Sequence, residues 1–167
     1  MKKTVFMLVF GAIVFFSCGH VTFNMSGATI GNAKTCQVVY FENRADIVNP
    51  RLAAQMTDAL KDKIQSSSSL RLVNSNAHVM FEGEITAYST QPQQVTASGR
   101  PEMDRLTVSV KVKFTNEIDP DKNYEKSFSR FQEGAVGTIV GAAEDRLVEE
   151  ILKELMEDIY NEAFSSW

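Results

Sequence analysis

Two cysteines in 167 residues cannot frame a disulfide-stapled domain. The two histidines, His20 and His78, have no cysteine, histidine or carboxylate at metal-ligand spacing, which argues against a zinc site. Four prolines and nine glycines exclude collagen-like and Pro-rich repeats. Only one long apolar run exists, and a mean hydropathy of −0.15 excludes a multi-span membrane protein. There is no basic excess. Seventeen Lys and Arg stand against 21 Asp and Glu, for a formal charge of −4, so no nucleic-acid partner is expected. Gly-rich phosphate loops and G-x-S-x-G elbows are missing, and no cofactor is expected. What remains is ordinary: 44% hydrophobic and 23% charged residues, the profile of one globular domain with a distinctive start.

Lys2 and Lys3 precede the apolar run Val5–Phe16, and Ser17-Cys18 follows it. Twelve helical residues reach about 18 Å against a hydrocarbon core of about 30 Å, so the run is too short to span but fits a secretory signal. Phe15 at −3 defeats an ordinary small-x-small cleavage site. A small residue followed at once by Cys resembles the lipobox of bacterial lipoproteins, with Phe15 standing where such boxes more often carry Leu. The alternatives are an ordinary signal peptide with a structural cysteine, or an uncleaved anchor. Under the lipobox reading, residues 1–17 are removed, and Cys18 carries acyl chains such as palmitate. Losing 17 residues and two lysines from 167 at −4 leaves 150 at −6. Such a length supports a hydrophobic core without staples. Two or three acyl chains anchor stably where one is marginal. Cys36 is then left without a partner and reads as a buried small hydrophobe.

Residues 18–34 form a tether, and residues 35–167 a single domain. Thr35–Glu42 is β-branched and aromatic, predicting a first strand buried on both faces. Asn49-Pro50 predicts a helix start, with Leu52, Met56, Ala59, Leu60 and Ile64 at helical spacing and Ser66–Ser69 as the stop. Leu70–Val73 is a short strand. His78–Tyr88 alternates, with Val79, Phe81, Gly83, Ile85 and Ala87 on one side and Met80, Glu82, Glu84 and Thr86 on the other. Ser89–Asp104 is polar and carries two prolines, predicting a long loop of the kind that is functional or mobile. Arg105–Thr115 alternates most cleanly, with Leu106, Val108, Val110, Val112 and Phe114 facing in. A turn at Asp119-Pro120-Asp121, a strand over Tyr124–Phe131 and a joint at Gly134–Gly141 follow. Glu144–Phe164 predicts a long helix. Val148, Ile151, Leu152, Leu155 and Ile159 form its buried stripe, and its acidic remainder reads as solvated or as a docking surface.

Strands with one polar face predict a sheet covered on one side only. The expected class is α+β: a two-layer α/β sandwich, with two helices packed on one face of a mixed, mostly antiparallel sheet. Pairing of His78–Tyr88 with Arg105–Thr115 would put Glu82 and Glu84 on the same face as Lys111 and Lys113. Glu82 and Glu84 can be read as a hydrolase pair, but facing opposite charges are ordinary sheet stabilisers. No catalytic residue is assigned.

Several segments carry a family resemblance: Cys18, Phe23–Ala28, Val38–Phe41 with Asn43-Arg44, and Val48-Asn49-Pro50. Thr57–Lys63, Leu70–Val73, Phe81–Ile85 and Leu106–Val112 continue it. Together these resemble the lipopolysaccharide (LPS)-assembly lipoproteins (LptE-type), in a short variant. The resemblance implies a lipid-anchored, periplasmic-side outer-membrane lipoprotein seated in a large β-barrel LPS translocon. It also implies LPS binding during delivery to the cell surface. The family's lipid-binding residues do not transfer by motif. Chemistry nominates Arg100, Arg105, Lys111 and Lys113, since phosphorylated glycolipid needs cations beside apolar or hydroxyl-bearing surface. Pairing of these cations with Glu82 and Glu84 is the equal alternative. The rival function is a structural adaptor lipoprotein of another envelope secretion complex. Mass spectrometry of the mature protein is expected to find a diacyl- or triacyl-modified Cys18 at the amino terminus; an intact Met1 or a free Cys18 thiol contradicts the anchor.

Overall fold

The computed structural model describes residues 32–47, 49–93 and 102–164. The signal segment, Cys18, His20, Arg100 and Trp167 lie outside the described residues. Among the described residues, six strands and two α-helices follow in chain order, with one 3-10 turn at Pro120–Lys122. These are β1 (Thr35–Val38), β2 (Glu42–Asn43), α1 (Leu52–Ser67), β3 (Arg71–Leu72), β4 (Val79–Pro92), β5 (Met103–Asn116), β6 (Tyr124–Ala135) and α2 (Ala142–Phe164). The sheet order is β3-β1-β4-β5-β6, with β2 also pairing β4. β1 and β2 run parallel to β4, and β1 parallel to β3, while β4–β5 and β5–β6 are antiparallel. Both helices cover one face, the predicted two-layer α+β sandwich.

The alternation of β5 is realised without fault: Leu106, Val108, Val110 and Val112 are fully buried and Phe114 nearly so. A one-residue slip would turn all five to solvent, so the core face fixes the register. β4 pairs as expected, Glu82 opposite Lys113 and Glu84 opposite Lys111. Phe81, Phe114 and Phe164 meet at ring centroids 4.8, 5.9 and 5.8 Å apart, joining the sheet to the end of α2. Cys36 is fully buried among these apolar groups, and desolvation pushes its thiol up to about 12, the inert small hydrophobe expected.

Four expectations are corrected. The first strand is neither continuous nor buried on both faces. Val38 pairs Phe81 but Glu42 pairs Glu84, so one extra residue intervenes on the β1–β2 side. That bulge turns Phe41 into the core and leaves Tyr40 59% exposed. The Phe41 N–H donates to Thr57 Oγ1 at 3.1 Å, tying the bulge to α1. In β4 the register shifts between Ile85 and Ala87. Ala87 therefore lies opposite Ser109 on the outer face, and Tyr88 turns inward, 7% exposed. The loop expected over 89–104 is shorter, because the ladder continues to Pro92 opposite Asp104. Backbone pairing does not depend on side-chain polarity, so a polar strand beyond the core reads as loop. Finally, α1 begins at Leu52, with Arg51 at its cap position, rather than at Pro50 with Asn49 as the cap. Asn49 Oδ1 accepts the Arg51 N–H at 3.1 Å and its carbonyl the Leu52 N–H at 3.2 Å, making a turn that leads into the helix.

The acidic side of α2 is not merely solvated. Lys126 pairs Glu162 at 2.7 Å, Arg130 grips Asp158 at 2.6 and 2.7 Å, and Gln132 reaches Glu154 at 2.9 Å. These β6 residues point toward α2 from the sheet edge. Charged residues directed inward are one way an edge strand resists pairing with another chain.

Gly83 is the position where a side chain is least tolerated: a Cβ there would lie 2.3 Å from Phe41 Cε1. Phe41 is fully buried and cannot swing away freely. Gly83→Ala is expected to lower unfolding free energy by about 1–3 kcal/mol, read as a lower urea midpoint at unchanged slope; an unchanged midpoint contradicts the packing of Phe41 on Gly83.

Candidate binding face

The face of the sheet away from the helices is built by the outward positions of β2, β4, β5 and β6. Register places them in rows across the strands: Glu82–Lys113–Glu125, Glu84–Lys111–Ser127, Ala87–Ser109–Ser129, Ser89–Thr107–Phe131 and Gln91–Arg105–Glu133. Successive rows are about 6.6–6.8 Å apart, twice the strand rise. Arg105, Lys111 and Lys113 thus share one strand face, as β5 alternation requires. Arg100 lies outside the described residues.

The face has two halves. Near the β1–β2 bulge it is densely charged. Lys113 Nζ lies 2.9 Å from Glu82 Oε2, and Lys111 pairs Glu125 rather than the Glu84 opposite it. Glu84 is taken instead by Arg44, 3.4 Å away, which also holds Glu42 at 2.7 Å. These contacts raise the pKa of Lys111, Lys113 and Arg44 and lower that of Glu125, each through its hydrogen-bonded partner first. An open depression of about 340 Å³ lies among them, with Tyr40 at its edge. Toward the β4–β5 connection the face becomes hydroxyl-rich, with Ser109 Oγ and Ser129 Oγ 2.9 Å apart. There Arg105 stacks 4.0 Å over the Phe131 ring centroid and bonds Glu133 Oε1 through Nε at 3.1 Å and Nη2 at 2.6 Å.

Every described candidate cation therefore has a carboxylate partner. Glu82 and Glu84 are engaged with cations, the sheet-stabilising arrangement. Sequence reasoning missed Arg44, Glu125, Phe131 and Glu133. The β6 parity signal was present in Glu125, Ser127, Ser129, Phe131 and Glu133, but the inward Lys126 and Arg130 disguised it. Among the described residues, no group of three His, Cys, Asp or Glu can hold a metal ion. None of their helices is long and apolar enough to cross a membrane.

Residues 33–163 match the family model described as LptE: Lipopolysaccharide-assembly. The chain belongs to this family. No curated protein matches it in sequence. Among solved structures, a hypothetical protein of Chlamydia trachomatis superposes with a TM-score of 0.57 at 11% identity, covering 78% of this chain and 98% of that one. An uncharacterized lipoprotein B from Nitrosomonas europaea gives 0.50 at 13% identity, with 76% and 79% covered. The PelC dodecamer from Paraburkholderia phytofirmans gives 0.50 at 10% identity, with 83% and 95% covered. At such identities these likenesses establish the shared fold alone.

In this LptE-family chain the β4 bulge also anchors the helix layer. It turns the Tyr88 hydroxyl toward Glu144 in the first turn of α2, where it donates a hydrogen bond to the carboxylate. Arg51 and Asp145 pair at 2.5 Å beside them, linking the starts of the two helices. Burial, then the bond to Glu144, pushes the Tyr88 phenol from 10.0 to about 12. A raised folded-state pKa contributes stability below the unfolded value, and that contribution is lost as pH climbs through the folded value. Stability is expected to fall between pH 10 and 12, and Tyr88→Phe to flatten that fall in pH-dependent urea titrations; an identical slope in the variant contradicts the assignment.

Proposed function

We propose that this LptE-family protein is the lipoprotein subunit of an LPS translocon, acting by binding rather than catalysis. Cys18 tethers it to the periplasmic side of the outer membrane through its acyl chains. The two-layer core forms a rigid body, and the helix-free face with the β4–β5 connection meets a large outer-membrane β-barrel partner and LPS. The observation that carries this reading is the family match over residues 33–163, joined to an outer sheet face bearing Arg105, Lys111 and Lys113 on one strand. Arg100, in the connection between β4 and β5, belongs to the same proposed contact set. Cations able to fork onto phosphate, next to an aromatic and a hydroxyl-bearing surface, suit a phosphorylated glycolipid.

One observation favours the second reading, a structural adaptor of another envelope secretion complex. Arg105, Lys111 and Lys113 are each matched by a carboxylate, so the face is electrostatically satisfied without a ligand. LPS binding must then proceed by exchange, with phosphate displacing a carboxylate. Exposed charge attraction is screened within about 8 Å at physiological ionic strength, so binding should weaken with salt.

Replacing Arg100, Arg105, Lys111 and Lys113 by Ala is expected to lower LPS affinity at least about tenfold, while circular dichroism stays native. Detergent extraction is expected to co-purify the wild type with a translocon barrel. Unchanged LPS binding and co-purification in a folded quadruple variant would end the basic-face mechanism, and a wild type that never meets such a barrel would favour the adaptor.

A further inference from the structure

We infer that Glu133 is a built-in competitor that occupies the Arg105 guanidinium until a phosphate group replaces it, with Phe131 as the platform that keeps the guanidinium in place. The inference rests on the proposed LPS-binding role and assigns that face its regulated position. Three features separate Arg105 from the other cations. It is an arginine, whose planar fork matches two oxygens of a phosphate, whereas Lys111 and Lys113 are point charges. It is held on two sides: the Phe131 centroid lies 4.0 Å away, and Glu133 Oε1 accepts both Nε and Nη2. It is also better shielded from water, its side chain 34% exposed against 43% and 56% for Lys111 and Lys113.

The geometry follows from register. Glu133 is the β6 residue directly opposite Arg105, and Phe131, two residues before it on the same face, lies opposite Thr107. Glu133 places both N–H bonds on one oxygen, the edge that a phosphate would take. Phe131 is 47% exposed, large for an aromatic on a sheet, and its stacking on Arg105 gives that exposure a purpose. A carboxylate in this position does two things. It keeps the fork ordered while no ligand is present. It also repels an incoming phosphate, so the site discriminates against weak anions. Both partners keep part of their surface in water, Arg105 34% and Glu133 28%, so an incoming anion can reach the guanidinium and the carboxylate can turn out to solvent.

A bound phosphate would accept the Nε–H and Nη–H that Glu133 now accepts, and Glu133 would turn to solvent. Nothing covalent changes. The class of ligand is a phosphate monoester on a saccharide or lipid, or free phosphate, and the experiment separates them. Phe131 acts through Arg105 and is a positioning residue.

The test is titration calorimetry on the full chain extracted in detergent, with LPS, phosphatase-treated LPS and inorganic phosphate as three probes. Glu133→Gln, which keeps shape and removes charge, is expected to bind LPS about three- to tenfold more tightly. That gain should vanish with phosphatase-treated LPS and in the Glu133→Gln, Arg105→Ala double variant. Phe131→Ala should weaken LPS binding about two- to fivefold, with Phe131→Tyr restoring it. A gain with inorganic phosphate as well supports a site for phosphate itself, and a gain with LPS alone supports one for the glycolipid. Equal or weaker binding by Glu133→Gln, or a gain that survives Arg105→Ala, overturns the competitor. If Lys111→Ala with Lys113→Ala abolishes binding while Glu133→Gln is silent, the basic-face reading stands and the competitor alone fails. A wild type that binds no LPS removes both.

Discussion

The antiparallel pairing of β4 with β5 is the constraint on which the rest depends. Each strand runs 14 residues, about 46 Å at 3.3 Å per residue. β5 alternates without interruption and buries Leu106, Val108, Val110, Val112 and Phe114 under the helices. That row of apolar side chains fixes the register of β4 on one side and of β6 on the other. Once the register is fixed, the opposite face is fixed too, and Arg105, Lys111 and Lys113 fall into line with carboxylates from both neighbours.

Two bulges modify this plain ladder. Two paired rungs, Glu42–Glu84 and Asn43–Ile85, separate the irregularity at Val39–Phe41 from the one between Ile85 and Ala87. The first turns Phe41 into the space that Gly83 leaves open, and the second turns Tyr88 toward α2. Each bulge re-aims one aromatic into the core and hands one position to the outer face, Tyr40 in one case and Ala87 in the other.

Charge is used differently on the two sides of the sheet. Toward the helices, Lys126 and Arg130 reach the carboxylates of α2 and keep the β6 edge from inviting another strand. On the outer face, charges pair in cross-strand contacts that are mostly exposed and individually add little to stability. Pairs of that strength hold side chains in place yet exchange readily. That property suits a surface meeting an anionic ligand or a barrel wall better than it suits a catalytic pocket.

The elements with strong periodicity are written in the chain. β5, the buried stripe of α2, the pairing of the two long strands and the one-sided helix layer were all legible, because one buried face imposes a period of two or 3.6. That Arg105, Lys111 and Lys113 share one strand face was legible for the same reason. The rest emerges from packing in three dimensions. A one-residue bulge leaves no mark in composition, so the fates of Tyr40, Phe41, Ala87 and Tyr88 could not be read along the chain. The polar ends of β4 and β6 looked like loop, since backbone hydrogen bonds hold a strand together where no apolar core marks it. The partner choices of Lys111 for Glu125, Glu84 for Arg44 and Arg105 for Glu133 depend on which strands become neighbours and on the reach of flexible side chains. Those are distances in space, and a linear pattern does not contain them.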